Sequence, residues 1–207
     1  MCLSRIDIAH ASAFEVEADG HERTRLNPGV GALRNPSRTA RLLLMKDLQA
    51  QGLDYFAVAP VRLECLAHIK ASPDAVFAAL AEPASWPRWF PLMTRAAWVA
   101  PTTNGSVGAE RDVALRVLGR FRERMIAWQP GQRYAFTMVQ SSSPFASKMA
   151  EDYQLQAVAG GTELRWTFAV TPTTVGKLAV PGLRIVMRKI FTTAGKRLNA
   201  ELARAGS

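Results

Sequence analysis

Cysteine and histidine are scarce in this chain: two and three among 207 residues. Cys2 and Cys65 lie far apart, and Cys65 falls in an apolar stretch, so the expectation is a buried free thiol and no disulfide framework. His10, His21 and His68 have no ligand spacing, which argues against a metal site. Long apolar runs are missing too. None reaches about 18 residues and the first residues hold no apolar signal core, so neither a membrane span nor export is expected, and the expected location is cytoplasmic. Val107-Gly108 and Gly160-Gly161 read as turn glycines, not as a phosphate or dinucleotide loop, and no cofactor is implied. No activated nucleophile stands out. Ser141-Ser142-Ser143-Pro144 reads as a flexible loop.

Acidic residues are few in one half only. The formal net charge is +9, yet residues 1–60 carry seven bases against seven acids, so the excess lies in 61–207. From Lys177 onward seven bases face Glu201 alone. That balance favours anionic partners, of which a solvated helix face is the plainest alternative. A recognition helix with polar base readers, zinc spacing and an aromatic–glycine motif are all lacking, so no specific nucleic acid is expected.

What is present is periodicity. Residues 1–40 have little of it, and Asn27-Pro28-Gly29 and Asn35-Pro36-Ser37 are turn signals. Leu42, Leu43, Met45 and Leu48 give a partial stripe that predicts a short helix across Arg38–Gln51. Residues 1–54 are therefore read as an extension and 55–207 as the folded domain. Val61–Lys70 alternates as a strand with His68 on its wet face. Ser72-Pro73-Asp74 opens a helix with Val76, Phe77 and Leu80 as its stripe. A tryptophan, phenylalanine and proline cluster follows at 85–91. Turn signals at Asn104-Gly105, Gly119-Arg120, Pro130-Gly131 and Gly160-Gly161 then separate strands at about 94–101, 109–118, 121–129, 132–141, 148–159 and 162–172.

A two-residue loop at Gly160-Gly161 predicts Leu155 opposite Trp166 and Tyr153 opposite Phe168. Pairing about Pro130-Gly131 predicts Ala127 opposite Tyr134, Met125 opposite Phe136 and Glu123 opposite Met138. At Gly119 a two-residue loop would set Arg116 against Glu123, whereas a three-residue loop keeps Val113, Leu115 and Val117 on the apolar face. The pattern favours the longer loop. Last comes Pro181–Ala203, where Leu183, Val186, Met187, Ile190, Ala194, Leu198 and Leu202 form one stripe on a helix starting at Pro181. A long amphipathic helix after a run of strands must bury its stripe on their sheet, which is an α+β architecture.

Ala71-Ser72-Pro73-Asp74-Ala75-Val76-Phe77 and Trp86-Pro87-Arg88-Trp89-Phe90-Pro91 resemble the opening of START-like (SRPBCC) proteins, in particular the polyketide cyclase/dehydrase and lipid-transport branch. Ala127-Trp128-Gln129-Pro130-Gly131, Glu151-Asp152-Tyr153-Gln154-Leu155 and Gly160-Gly161-Thr162-Glu163-Leu164-Arg165-Trp166 agree. The likeness covers roughly 55–205. It implies a helix-grip fold: seven antiparallel strands curved around the C-terminal helix, with two short helices after the first strand closing one side of an apolar tunnel.

The inward faces are rich in aromatics and thioethers: Tyr134, Phe136, Met138, Tyr153, Trp166 and Phe168, with Met187 and Phe191 from the helix. Such walls suit a bulky apolar ligand as well as a packed core. Trp89 and Phe90, from the helices that the resemblance places beside the tunnel, join this set, as does Met125. Two carboxylates, Glu123 and Glu151, fall on the same faces. Each must find a partner or take up a proton. Glu123 is read as reaching water or an arginine near the sheet end; for Glu151 that reading and a tunnel role both stand.

The resulting expectation is a domain that binds or carries a hydrophobic small molecule. One alternative is a cyclase/dehydratase with Glu151, Tyr153 and Tyr134 as candidate acid/base groups. The other is an interaction protein whose basic C-terminal helix face docks on acidic lipid of a membrane or on nucleic acid, a weak contact with an anionic surface.

Overall fold

The computed structural model describes residues 44–100 and 105–205. The expected extension up to residue 43, with its two histidines, lies outside them. In chain order the elements are β1 (Lys46–Asp47), α1 (Tyr55–Val58), β2 (Val61–Ile69), α2 (Pro73–Ala81), a 3-10 turn (Pro83–Ser85), α3 (Trp86–Trp89), β3 (Met93–Trp98), β4 (Glu110–Leu115), β5 (Gly119–Gln129), β6 (Arg133–Ser141), β7 (Ala146–Val158), β8 (Gly161–Pro172) and α4 (Thr174–Ala205). Seven strands form one antiparallel path, β2-β8-β7-β6-β5-β4-β3, and β1 joins at β6. This is the α+β helix-grip architecture, with α4 lying against β2 and β8.

The short strand β1 replaces the expected helix over the described part of Arg38–Gln51. Pairing of β6 with β7 ends at Thr137 and Ala150, which leaves the far edge of β6 open. Lys46 and Asp47 take it opposite Ser141 and Gln140, and Leu48 N–H donates to Val139 O at 2.8 Å. A partial helical stripe loses to an unpaired sheet edge. Behind the sheet, Tyr55 and Phe56 of α1 pack on the small side chains of Ala150 and Ala169, and the Tyr55 hydroxyl meets Thr171 Oγ1 at 2.8 Å.

Ser72 caps α2 as its sequence implies, its hydroxyl accepting from Ala75 N–H at 3.3 Å, with Pro73 in the first turn. The start of α4 differs from expectation. Thr173 caps it, accepting from Gly176 N–H at 3.1 Å, so the helix begins seven residues before Pro181 and contains it. The proline deletes one backbone bond. The first turns are nonetheless held by that cap and by Gly176, whose absent side chain lets the helix lie on Phe145 O; a Cβ there would come within 1.9 Å.

Register departs from expectation in two places. Val158 pairs with Gly161, so Tyr153 faces Trp166 and Leu155 faces Leu164, a shift of two from the expected partners. A shift of two leaves every side chain on its expected face. A bulge between Met125 and Ala127 sets Ala127 opposite Ala135 and Trp128 opposite Tyr134, while Met125–Phe136 and Glu123–Met138 stand as expected. At Gly119 the loop has three residues, and Leu115 pairs with Gly119. Val113 is buried as expected, but Val117 sits in the turn, exposed. Cys65 is disulfide-bonded, which corrects the expected free thiol. Sequence separation carries no information on which thiols meet in space.

Two glycines, one crowded and one in open space, make a close approach in this architecture testable. Gly161 has φ 148° and a Cβ there would lie 2.0 Å from Ile69 O, so Gly161→Ala must push β8 from β2. Gly182 in α4 has nothing within 4 Å of its would-be Cβ. Urea melts should show Gly161→Ala losing at least roughly 1–3 kcal/mol and Gly182→Ala gaining about 0.5–1 kcal/mol.

Candidate functional site

A cavity of about 470 Å³ lies between the concave face of the sheet and the first half of α4. Phe121 and Glu123 of β5, Phe136 and Met138 of β6, Met149 and Glu151 of β7, and Phe168 and Val170 of β8 form its floor. Trp86, Phe90 and Met93 wall one side; Leu183, Val186, Met187 and Ile190 of α4 roof it. Its mouth lies among Leu118, Ser143, Phe145 and Leu178. A second void, of about 220 Å³, lies farther along α4 between that helix and β2 and β8.

Of the residues expected around a tunnel, Phe90, Glu123, Phe136, Met138, Glu151, Phe168 and Met187 border the larger cavity. Trp89, Tyr153, Trp166 and Phe191 border the smaller one instead. Trp166 and Phe191 stack there with ring centroids 3.8 Å apart. Met125 and Tyr134 border neither and are fully buried. Phe121, Met149 and Val170 were not anticipated, although simple alternation from Glu123, Glu151 and Phe168 reaches each of them. Trp86 was missed because its direction depends on the tilt of a one-turn helix.

The larger omission is Arg111. It is fully buried on β4, and the three-residue turn at Gly119 sets it opposite Glu123. Its Nε donates to Glu123 Oε2 in a buried ion pair. This is the arginine partner expected for Glu123, in the sheet interior and not at its end. The guanidinium carbon lies 4.0 Å from the Trp86 ring centroid and 4.7 Å from that of Phe136. Its two terminal nitrogens have no hydrogen-bond partner among the described residues, so cation–π attraction carries that side of the group. Burial lowers the pKa of Arg111, but the charge and hydrogen bond of Glu123, with Tyr134 and Tyr153 beside it, together outweigh this and the net direction is upward. For Glu123 burial pushes the carboxyl up and Arg111 opposes that push. Alternation from Val113 was the available signal: Ala109, Arg111 and Val113 share a face.

Glu151 has no cation in contact. Its Oε2 accepts from Tyr153 O–H at 2.6 Å and from Trp166 Nε1–H at 2.9 Å. Those two bonds do not offset burial, and the nearby Glu123 charge adds to the push, so the Glu151 carboxyl is raised to about 7. Burial also raises Tyr153 and Tyr134, so both phenols stay protonated in the ordinary pH range. The Tyr134 hydroxyl has no partner among the described residues. Chemically the cavity therefore offers an apolar box with one neutralised ion pair and one carboxyl that holds or yields a proton near neutrality. Among the described residues no cluster of His, Cys, Asp and Glu could hold a metal.

A raised carboxyl binds its proton more tightly in the folded chain than in the unfolded one, so its contribution is complete below about pH 4.5 and lost as pH rises to about 7. Stability measured by denaturant melts should fall across that window by roughly 3 kcal/mol. The same series on Glu151→Gln, which cannot ionise, should lose this slope. An unchanged slope would place the titration elsewhere.

The family model for polyketide cyclase/dehydrase and lipid transport matches residues 61–204. An uncharacterized protein of Mycobacterium tuberculosis, Rv2574, is 33% identical over 157 residues, covering 74% of this chain and 89% of that protein. Among solved structures, the ZhuI aromatase/cyclase of a Streptomyces species superposes with a TM-score of 0.60 at 14% identity, over 70% of this chain and 95% of that one. A START superfamily protein of Mycobacterium smegmatis does so with a TM-score of 0.54, also at 14% identity, over 70% and 98%. These structures share the fold. By the span of the family match, the chain belongs to the START-like polyketide cyclase/dehydrase and lipid transport family.

Proposed function

We propose that this protein binds or carries a hydrophobic small molecule of lipid, polyketide or isoprenoid type in the cavity beneath α4. The observation that carries this reading is the cavity itself. Its size falls within the range of small-molecule sites, and apart from Glu123, Glu151 and Ser143 its wall is apolar or aromatic. The Arg111–Glu123 pair is internally neutralised, which leaves Glu151 as the group able to orient a ligand's polar end. Among the described residues its Oε1 is engaged by no hydrogen bond, both contacts being made to Oε2.

Phe168 tests this reading. In a packed interior, Phe168→Ala costs about 3–5 kcal/mol. In the wall of a ligand cavity the same truncation enlarges an existing void, so the loss should be smaller and the change in ligand affinity larger. Native mass spectrometry of freshly expressed protein should reveal a co-purifying apolar molecule. Titration of an apolar fluorescent dye into wild type and Phe168→Ala, beside their melts, then measures both quantities. No uptake by wild type together with a full interior penalty would end the proposal.

A catalytic reading draws on the one carboxyl of the cavity wall whose pKa stands near neutrality. Glu151 would act as general acid or base in a cyclisation or dehydration, with Tyr153 behind it holding Oε2. Tyr153 and Tyr134 do not border the cavity, so Glu151 is the group placed to touch a substrate. Under this reading Glu151→Gln abolishes turnover of a polyketide-like substrate while retaining its binding. Under the carrier reading the substitution changes affinity alone, and wild type shows no turnover.

A further inference from the structure

Three segments meet at the cavity mouth. The β4–β5 turn, Arg116–Arg120, is tied to the β6–β7 loop by Arg120 N–H donating to Ser142 Oγ at 2.9 Å and Ser142 N–H donating to Arg120 O at 2.9 Å. That loop is tied in turn to the start of α4: Thr173 N–H donates to Phe145 O at 3.0 Å, and Thr173 O–H donates to Pro144 O at 2.9 Å. The mouth is thus a joined rim.

Its outer surface is unusual in two respects. First, it exposes large apolar side chains: Val117 is 88% and Leu178 86% solvent-accessible, with Val175 and Phe145 about half exposed or more. Single exposed apolar residues are ordinary, but several around one opening mark a contact surface. Val117 also holds φ 64°, a left-handed backbone that β-branched residues seldom adopt, at the tip of the turn. Second, the rim carries bases and no acids. Arg116, Arg120 and Lys177 are exposed, and residues 116–120, 142–148 and 173–180 contain no Asp or Glu.

The geometry points to the cavity mouth as a docking surface for an anionic lipid bilayer. Val117, Phe145 and Leu178 enter the interfacial layer and the surrounding cations face the headgroups. A bilayer accepts protruding aliphatic side chains without a complementary pocket, while its anionic headgroups draw in the cations. A nucleic acid would use mainly the cations, because Phe145 is the one exposed ring of the rim and Val117, Leu178 and Val175 give bases no stacking platform. The docking goes beyond the ligand reading and stands whether or not the cavity holds a ligand. Where it does, the opening faces the acyl layer.

The test is co-sedimentation of the full chain with vesicles of mixed phosphatidylglycerol and phosphatidylcholine, against phosphatidylcholine alone, at low and at physiological salt. Binding is expected to the anionic vesicles, at least about tenfold tighter than to the neutral ones. It should weaken as salt rises. Val117→Glu/Leu178→Glu should lower it by a further tenfold or so while leaving the melt unchanged, since both side chains stand in solvent. No binding to either vesicle overturns the proposal, as does equal binding to both. Anionic binding that survives the double substitution overturns it as well, because it reports a charge contact of the kind a nucleic acid would make. So does concentration-dependent dimerisation abolished by those substitutions, which means a second copy covers the rim. Dye uptake from water by the same variants is measured separately, so a failure of the cavity reading remains distinct from a failure of docking.

Discussion

A straight helix cannot follow a twisted sheet along its whole length, and the cavity is a consequence of that mismatch. Strands twist relative to their neighbours by a steady angle, so a seven-stranded path becomes a trough. The helix α4 meets β2 and β8 closely through Ala194 and Gly195, where a Cβ on Gly195 would come within 3.2 Å of Ala67. Asn199 locks this end, accepting from Lys70 N–H at 2.7 Å and donating to His68 O at 2.9 Å. Toward its N-terminus the helix parts from the sheet floor, and Phe121, Met138 and Met149 are left facing space. One end of the grip is held to β2 through these small residues; at the other, Gly176 holds α4 against the β6–β7 loop and not against the sheet floor, and the larger cavity opens between.

Enclosing space in this way brings the cost of desolvated charge, and the two carboxylates of the wall meet it differently. Glu123 is neutralised by the residue directly across the ladder. Removing either member of such a buried pair strands the other, whereas the intact pair contributes little net stability. The aromatic rings around Arg111 add attraction without requiring further acceptors. Glu151 lacks a cation and instead shifts its titration toward neutrality. The position of Arg111 rests on one turn: had the Gly119 loop been a residue shorter or longer, Arg111 would have faced the other side of the sheet. A three-residue connection at Arg116–Leu118 thereby decides whether the cavity wall is electrically closed.

Much of the fold was legible because period-two alternation, punctuated by glycine and proline, assigns faces even where it misassigns partners. The β7–β8 pairing shows this. Its partners are displaced by two residues, yet Tyr153, Leu155, Trp166 and Phe168 all point inward as read. What alternation cannot see is position along the strand. Trp166 and Tyr153 face inward toward the tight end of the grip, Phe168 and Glu151 toward the open end, and no pattern within a strand distinguishes them. The helix start was hidden for a different reason: Pro181 is a strong local signal, and the tertiary contact of Gly176 with Phe145 O outweighs it. Arg111 was overlooked because a lone charge on an apolar face reads as noise until its cross-strand partner is known.

The contact between Glu151 and Trp166 joins the two halves of the grip. Glu151 borders the larger cavity and Trp166 the smaller, so their hydrogen bond lies in the wall between them. Trp166 stacks on Phe191 of α4, and Tyr153 packs against Trp166 with ring centroids 4.7 Å apart. Both donors engage the same oxygen, Oε2: the indole N–H can only donate, and the phenol, held protonated, places its proton on that oxygen. A proton added to Glu151 therefore goes to Oε1, on the edge of the carboxyl free of both bonds. Charge at the cavity wall can then change without breaking a hydrogen bond in the partition or moving a ring. A change in ligand affinity across the titration would then reflect the charge of Glu151.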